Sequence, residues 1–139
     1  MAENTFELDI EPLVAVVDRL GEGLARHHRE PADDQLRDGL IQRFAFTYEL
    51  CHRMLRRFIR QGAAAPDEVD RMAFQDLIRS ANQQGLLLGD WPAWRRYRDW
   101  RAKTSHAYQA KIAQGVAEAI PGFLAEAEFL RDELRRRLA

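Results

Sequence analysis

The sequence predicts an all-α fold, a compact antiparallel bundle of about five helices built on a four-helix up-and-down core. Three observations predict it. Apolar residues recur at spacings of three and four rather than two, β-branched residues are sparse, and the connections between periodic segments are short. A chain of 139 residues is long enough to bury a core as one domain over residues 1–139, and 46% hydrophobic with 31% charged residues suits a folded, solvated protein.

The first helix is expected from about Pro12 to His28, with Leu13, Val16, Val17, Leu20 and Leu24 inward. Pro12 suits a first helical turn, and Pro31 disfavours helical geometry at Glu30, so Glu30–Ala32 form a short connection. His27 and His28 lie at the helix end, where the dipole favours them, and lack companion metal ligands.

A longer helix follows, with Asp33 or Asp34 as cap and Gly62 as stop. Its stripe is Leu36, Leu40, Phe44, Tyr48, Cys51, Leu55, Phe58 and Ile59, leaving Arg37, Arg43, Arg53, Arg56 and Arg60 able to reach solvent. Cys51 falls on the stripe as a small core residue. Another helix opens near Pro66 and Asp67 and carries Val69, Met72, Ala73, Leu77 and Ile78. Gly85 and Gly89 then bracket an apolar loop, Leu86–Leu88.

Trp91 to Lys103 reads as a helix, and Gln109 to Leu138 as the last. Within the latter, Pro121 removes a backbone donor and is expected to kink or split the segment. Arg135, Arg136 and Arg137 favour the negative end of this helix.

Several function classes are excluded or disfavoured. The single cysteine rules out an internal disulfide and a cysteine-based metal site, and neither a cofactor nor a metal is expected. No apolar run approaches the ~20 residues of a membrane span, and the acidic N-terminus is unlike a signal peptide, so a cytoplasmic location is expected. Net charge is −1, but its distribution is uneven. Residues 1–34 carry nine acids against three bases, whereas 35–60 carry six bases against two acids. Residues 91–111 are the most basic, with six bases against Asp99 alone. Clustered bases attract phosphate even on a near-neutral protein, and a solvated helix face is the alternative.

Trp91, Trp94, Tyr97 and Trp100 recur every three residues among Arg95, Arg96 and Arg98. Such aromatics can stack on unpaired bases, but the spacing favours core or dimer packing. Arg95, Arg98 and Lys103 remain candidates for holding phosphate or RNA.

The stretch from Trp100 to Tyr108, WRAKTSHAY, holds the candidate chemistry. Arginine presents a planar, always-charged fork to phosphate oxygens, and histidine can take or give a proton near neutrality. With the RNA 2′-hydroxyl as nucleophile, such a pair requires no metal. On a continuous helix, however, five positions rotate His106 about 140° from Arg101. Convergence therefore needs the helix to end here, or two copies to meet across a dimer axis. Thr104 and Ser105 compete for backbone hydrogen bonds and favour such an end. As a bare spacing, R-x4-H recurs by chance and favours a surface arginine and a histidine satisfied at a helix end.

The segment LRDGLIQRFAFTYELCHRMLRRFI resembles the second helix of nucleotidyltransferase substrate-binding proteins, a branch of the HEPN superfamily. Their pattern RDG-x-IQRFEFTYEL is followed by W-x6-to-9-RN-x-x-SH-x-Y. The chain matches through Arg37, Asp38, Gly39, Ile41, Gln42, Arg43, Phe44, Phe46, Thr47, Tyr48, Glu49 and Leu50, and again through Arg101, Thr104, Ser105, His106 and Tyr108. It departs at Ala102, where the family usually has asparagine and where alanine offers no side-chain hydrogen bond.

The resemblance implies a dimerising helical bundle that partners a minimal nucleotidyltransferase encoded nearby and presents it with substrate or nucleotide. The alternative it implies is a metal-independent RNase toxin. Arg101 would then stabilise the phosphorane-like transition state and His106 transfer protons, with Tyr108, Thr104 and Ser105 as modification or substrate contacts. Related toxins are silenced when the partner adenylylates the motif tyrosine, here Tyr108. Glu49 is expected to pair with an arginine of the motif or of another helix.

Overall fold

The computed structural model describes residues 8–139. The acidic N-terminus begins in residues 1–7, which lie outside the described residues.

Helix α1, Glu11–Arg29, is opened by Asp9, whose carboxylate accepts the Glu11 amide at 3.0 Å, with Pro12 in its first turn. Helix α2, Asp34–Gln61, is capped by Asp33, which accepts from the amides of Gln35 and Leu36 at 2.9 and 3.1 Å. These two helices and α6, Ala110–Leu138, pack on one another and build the core. Leu13, Leu20, Leu40, Phe44, Leu55, Ile120, Phe123 and Leu130 are fully or almost fully buried there.

The helix expected from Pro66 is in fact two: α3, Pro66–Arg71, and α4, Phe74–Gln83. The break is at Met72 and Ala73, both extended. Its cause is Arg56 of α2, whose Nη1 donates to the carbonyls of Val69 and Met72 at 2.7 and 3.0 Å. A guanidinium satisfying the last carbonyls of α3 removes their need for further helical amides. The Asp67 side chain caps nothing; Ala65 is the cap residue. Six α-helices result among the described residues, with α5 spanning Trp91–Lys103 as the sequence predicts.

Pro121 does not split the segment into two helices: α6 runs unbroken across it. Val116 and Ile120 before the proline, and Phe123 and Ala127 after it, are all buried. Packing of both halves against α1 and α2 offsets the ~3 kcal/mol such a proline costs in a helix interior. The terminal arginines also do more than complement a dipole. Arg136 and Arg137 contact Glu133 at 2.6 and 3.2 Å, and Arg137 Nη2 donates to the Gln84 carbonyl at 2.6 Å, closing the end of α4.

The loop before α5 is fixed by a carboxylate on α6. Glu126, 2% exposed, accepts the amides of Leu88 and Gly89 at 2.7 Å each. Burial raises its pKa, and the two amides oppose that rise. The indole N–H of Trp94 approaches the same carboxylate without completing a hydrogen bond. Trp94 is fully buried, edge-on to Tyr97 and Phe123, so the aromatic stripe of α5 packs inward. No helix among the described residues is long and apolar enough to cross a membrane.

Candidate functional site

Helix α5 stops at Lys103 because the next two side chains turn back on it. The Thr104 hydroxyl donates to the Arg101 carbonyl at 2.7 Å, and the Ser105 hydroxyl to the Ala102 carbonyl at 3.1 Å. Both bonds reach three residues back, and Thr104–His106 tighten into a 3-10 turn. A 3-10 turn advances about 120° per residue, so it does not return His106 to the face of Arg101, and no hydrogen bond joins the two side chains among the described residues.

Arg101 is held from two sides. Its Nη1 donates to Thr104 Oγ1 at 3.1 Å, and its Nε lies 3.5 Å from Oε1 of Glu49 on α2. The second contact is an ion pair without hydrogen-bond alignment, since Nε is buried and lacks a hydrogen-bond partner. Glu49 thus meets an arginine of the motif, as the sequence suggests. The preceding residue, Tyr48, is buried; burial first, and the Glu49 charge second, push its phenol well above the usual range.

His106 is exposed, and its ring centroid lies 6.4 Å from that of Tyr108. Tyr108 is 81% exposed, and the Gln109 side-chain amide donates to its hydroxyl at 3.5 Å. Together with Thr104 and Ala107, it forms one wall of a cleft of about 270 Å³; Asp38, Ile41, Gln42 and Ala45 of α2 form the other. The arrangement offers a clamped cation, an accessible imidazole and an accessible phenol along one segment, Arg101 to Tyr108. Those are groups able to hold a phosphate, move a proton and accept a transferred group.

The other side chains singled out from sequence are turned to aromatic rings or lie farther back along α5. The Lys103 ammonium sits 4.6 Å from the ring of Trp100, and the Arg98 guanidinium 5.1 Å from that of Trp91. Arg95 is exposed farther back along α5. Sequence reasoning missed two supports. One is Gly115 of α6, which admits the Trp100 ring against the backbone. The other is Glu126, whose place on an otherwise apolar stripe with Phe123 and Leu130 was an available signal. No cluster of three or more His, Cys, Asp or Glu able to hold a metal ion occurs among the described residues.

Fold and site together define an all-α bundle bearing an R-x4-H-x-Y turn at the end of its fifth helix. Over residues 8–136 the chain matches the model of the family described as nucleotidyltransferase substrate binding protein like, and it belongs to that family. It is similar to a protein of Haemophilus influenzae named "Probable ribonuclease HepT", 41% identical over 104 residues that cover 75% of this chain and 70% of the relative. The solved structure of HI0074 from Haemophilus influenzae superposes with a TM-score of 0.86 at 33% identity, covering 91% of this chain and 99% of that one. That structure was described as revealing the fold of a substrate binding domain of a nucleotidyltransferase.

Proposed function

We propose that this chain is the HEPN-type subunit of a two-component nucleotidyltransferase system, binding substrate or nucleotide for a separate minimal nucleotidyltransferase. The observation that carries the reading is the clamping of Arg101 by Glu49 and Thr104 beside the cleft that Thr104 shares with Tyr108. A guanidinium fixed in advance loses less freedom when it meets a phosphate. In this reading Arg101 and His106 are ligand contacts, Tyr108 and Thr104 line the bound group, and the chain works as a dimer.

A second reading is favoured by the exposure of Tyr108 beside His106. Here the chain is an endoribonuclease silenced by its partner. A base, assigned to His106, takes the proton of an RNA 2′-hydroxyl; the oxygen attacks the adjacent phosphorus; the P–O5′ bond breaks, and the leaving oxygen collects a proton. The products are a 2′,3′-cyclic phosphate and a 5′-hydroxyl, and Arg101 stabilises the charge on the phosphorane oxygens. Silencing is attack of the Tyr108 oxygen on the α-phosphorus of ATP, catalysed by the partner, with pyrophosphate leaving.

Co-purification with the neighbouring nucleotidyltransferase, followed by intact mass after incubation with ATP, separates the two. A stable complex with unchanged mass supports the substrate-binding subunit. A gain of AMP units on Tyr108, with chelator-resistant RNA cleavage lost in His106→Ala, supports the silenced RNase. Absence of any complex and of any nucleotide affinity overturns both.

A further inference from the structure

We infer that a second, arginine-lined cleft on α2 is a track for the phosphodiester backbone of single-stranded RNA leading to Arg101. The inference rests on the reading above that the Arg101 turn handles phosphate. The cleft has a volume of about 460 Å³, and its floor is one face of α2, where Arg53, Arg56, Arg57 and Arg60 follow at helical spacings of three, one and three. Such spacings place guanidinium groups on one side of the helix, over an axial length of about 10 Å.

The four arginines are not equivalent. Arg56 is committed to the carbonyls of Val69 and Met72, and Arg60 to a two-pronged bond with Asp70 at 3.0 and 3.1 Å. These two build the wall. Arg53 and Arg57 are exposed and have no carboxylate within 4 Å among the described residues. Of the two acids lining the cleft, Asp70 is engaged by Arg60 and Glu49 faces Arg101. Both negative charges are therefore already opposed, and the surplus is positive.

Continuity with the candidate site comes from Glu49. It lines this cleft with one side and touches Arg101, 3.5 Å away, with the other. A strand whose phosphate rests on Arg101 has Arg53 and then Arg57 ahead of it along α2. A concave surface with two uncommitted guanidinium groups suits a phosphate chain better than the flat apolar centre of a protein interface.

The test is fluorescence polarisation with a labelled oligouridine of about 12 nucleotides at several salt concentrations, using the full chain. Wild type, Arg53→Ala/Arg57→Ala, Arg101→Ala and the control Arg79→Ala are compared, with circular dichroism melting to verify that each folds. Both cleft side chains are exposed on a helix, where alanine is well tolerated. The expected result for the double variant is at least about tenfold weaker binding, with the slope of log affinity against log salt shallower by about 1.4 for two lost phosphate contacts. The charge-removal control Arg79→Ala, exposed on α4 and outside both clefts, should keep the wild-type slope.

Unchanged affinity and slope in the double variant, while Arg101→Ala weakens binding, would overturn the track and leave the Arg101 site standing. No RNA binding by wild type at low salt, with AMP or ATP still bound, would overturn the track and restrict the site to nucleotides. Loss of the nucleotidyltransferase complex in the double variant with RNA binding intact would reassign the cleft to protein contact, overturning the proposal.

Discussion

The indole of Trp100 occupies the space that a side chain on Gly115 would need. A Cβ at position 115 would lie 2.6 Å from Cη2 and 2.8 Å from Cζ3 of that ring. Trp100 immediately precedes Arg101, and Lys103 covers part of the same ring. The contact fixes how closely the end of α5 approaches α6.

Gly115→Ala is therefore expected to displace Trp100 and destabilise the fold by about 1–3 kcal/mol. Thermal melting should record the loss, and tryptophan fluorescence should report an altered ring environment. Nucleotide or RNA affinity should fall as well, because Arg101 moves with its neighbour. An unchanged melting temperature would mean that α5 shifts at no cost.

Glu49→Gln separates positioning from stability. The Glu49–Arg101 pair is partly exposed, with 44% and 34% of the two side chains accessible, so its loss should cost under about 1 kcal/mol. Arg101 would nevertheless lose one of its two restraints. Calorimetry with AMP should show weaker binding with a larger entropic penalty. A drop in stability comparable to that of a core variant would contradict this division.

Glu126→Gln is expected to cost about 1–3 kcal/mol, since an amide has one oxygen for two backbone N–H groups. The pH dependence follows from the raised carboxyl pKa. The folded state holds this proton more tightly than the unfolded chain. Its favourable contribution is present below the ordinary carboxylate pKa and is lost as pH rises through the raised value. The melting difference between wild type and variant should shrink across that window; a difference that is flat with pH would refute the assignment.

His52 should act in the opposite sense. Burial first, and the Arg56 charge second, lower its pKa; its Nε2 lies 3.2 Å from Arg56 Nη2, a contact that suits a neutral, accepting ring. Stability from this group is present above the ordinary histidine pKa of about 6.5 and lost as pH falls through the lowered value. Comparing His52→Gln with wild type between pH 7 and pH 5, about that window, should show a smaller acid-induced loss in the variant.

Periodicity and punctuation made most of the fold legible. The stripe of α2, the limits of α5 and the inward faces of α1 and α6 are local properties, read from residues a turn apart. What was not legible depends on partners distant in sequence. The break at Met72 needs Arg56 to arrive from another helix, and the continuity of α6 through Pro121 needs the flanking residues to be packed on both sides. At the candidate site, Thr104 and Ser105 announced the helix end through their own chemistry. Gly115 gave no such signal, because the reason for its small size is a ring fifteen positions away.

The bond from Glu126 to Leu88 and Gly89 has a consequence in time. Amides in a surface loop ordinarily trade their protons with solvent as soon as the loop fluctuates. These two are held by a carboxylate embedded in the bundle, so releasing them requires α6 to move away from α5. Their deuterium uptake should therefore be as slow as that of the helical core. The segment entering α5 would then be timed by opening of the whole molecule rather than by local breathing.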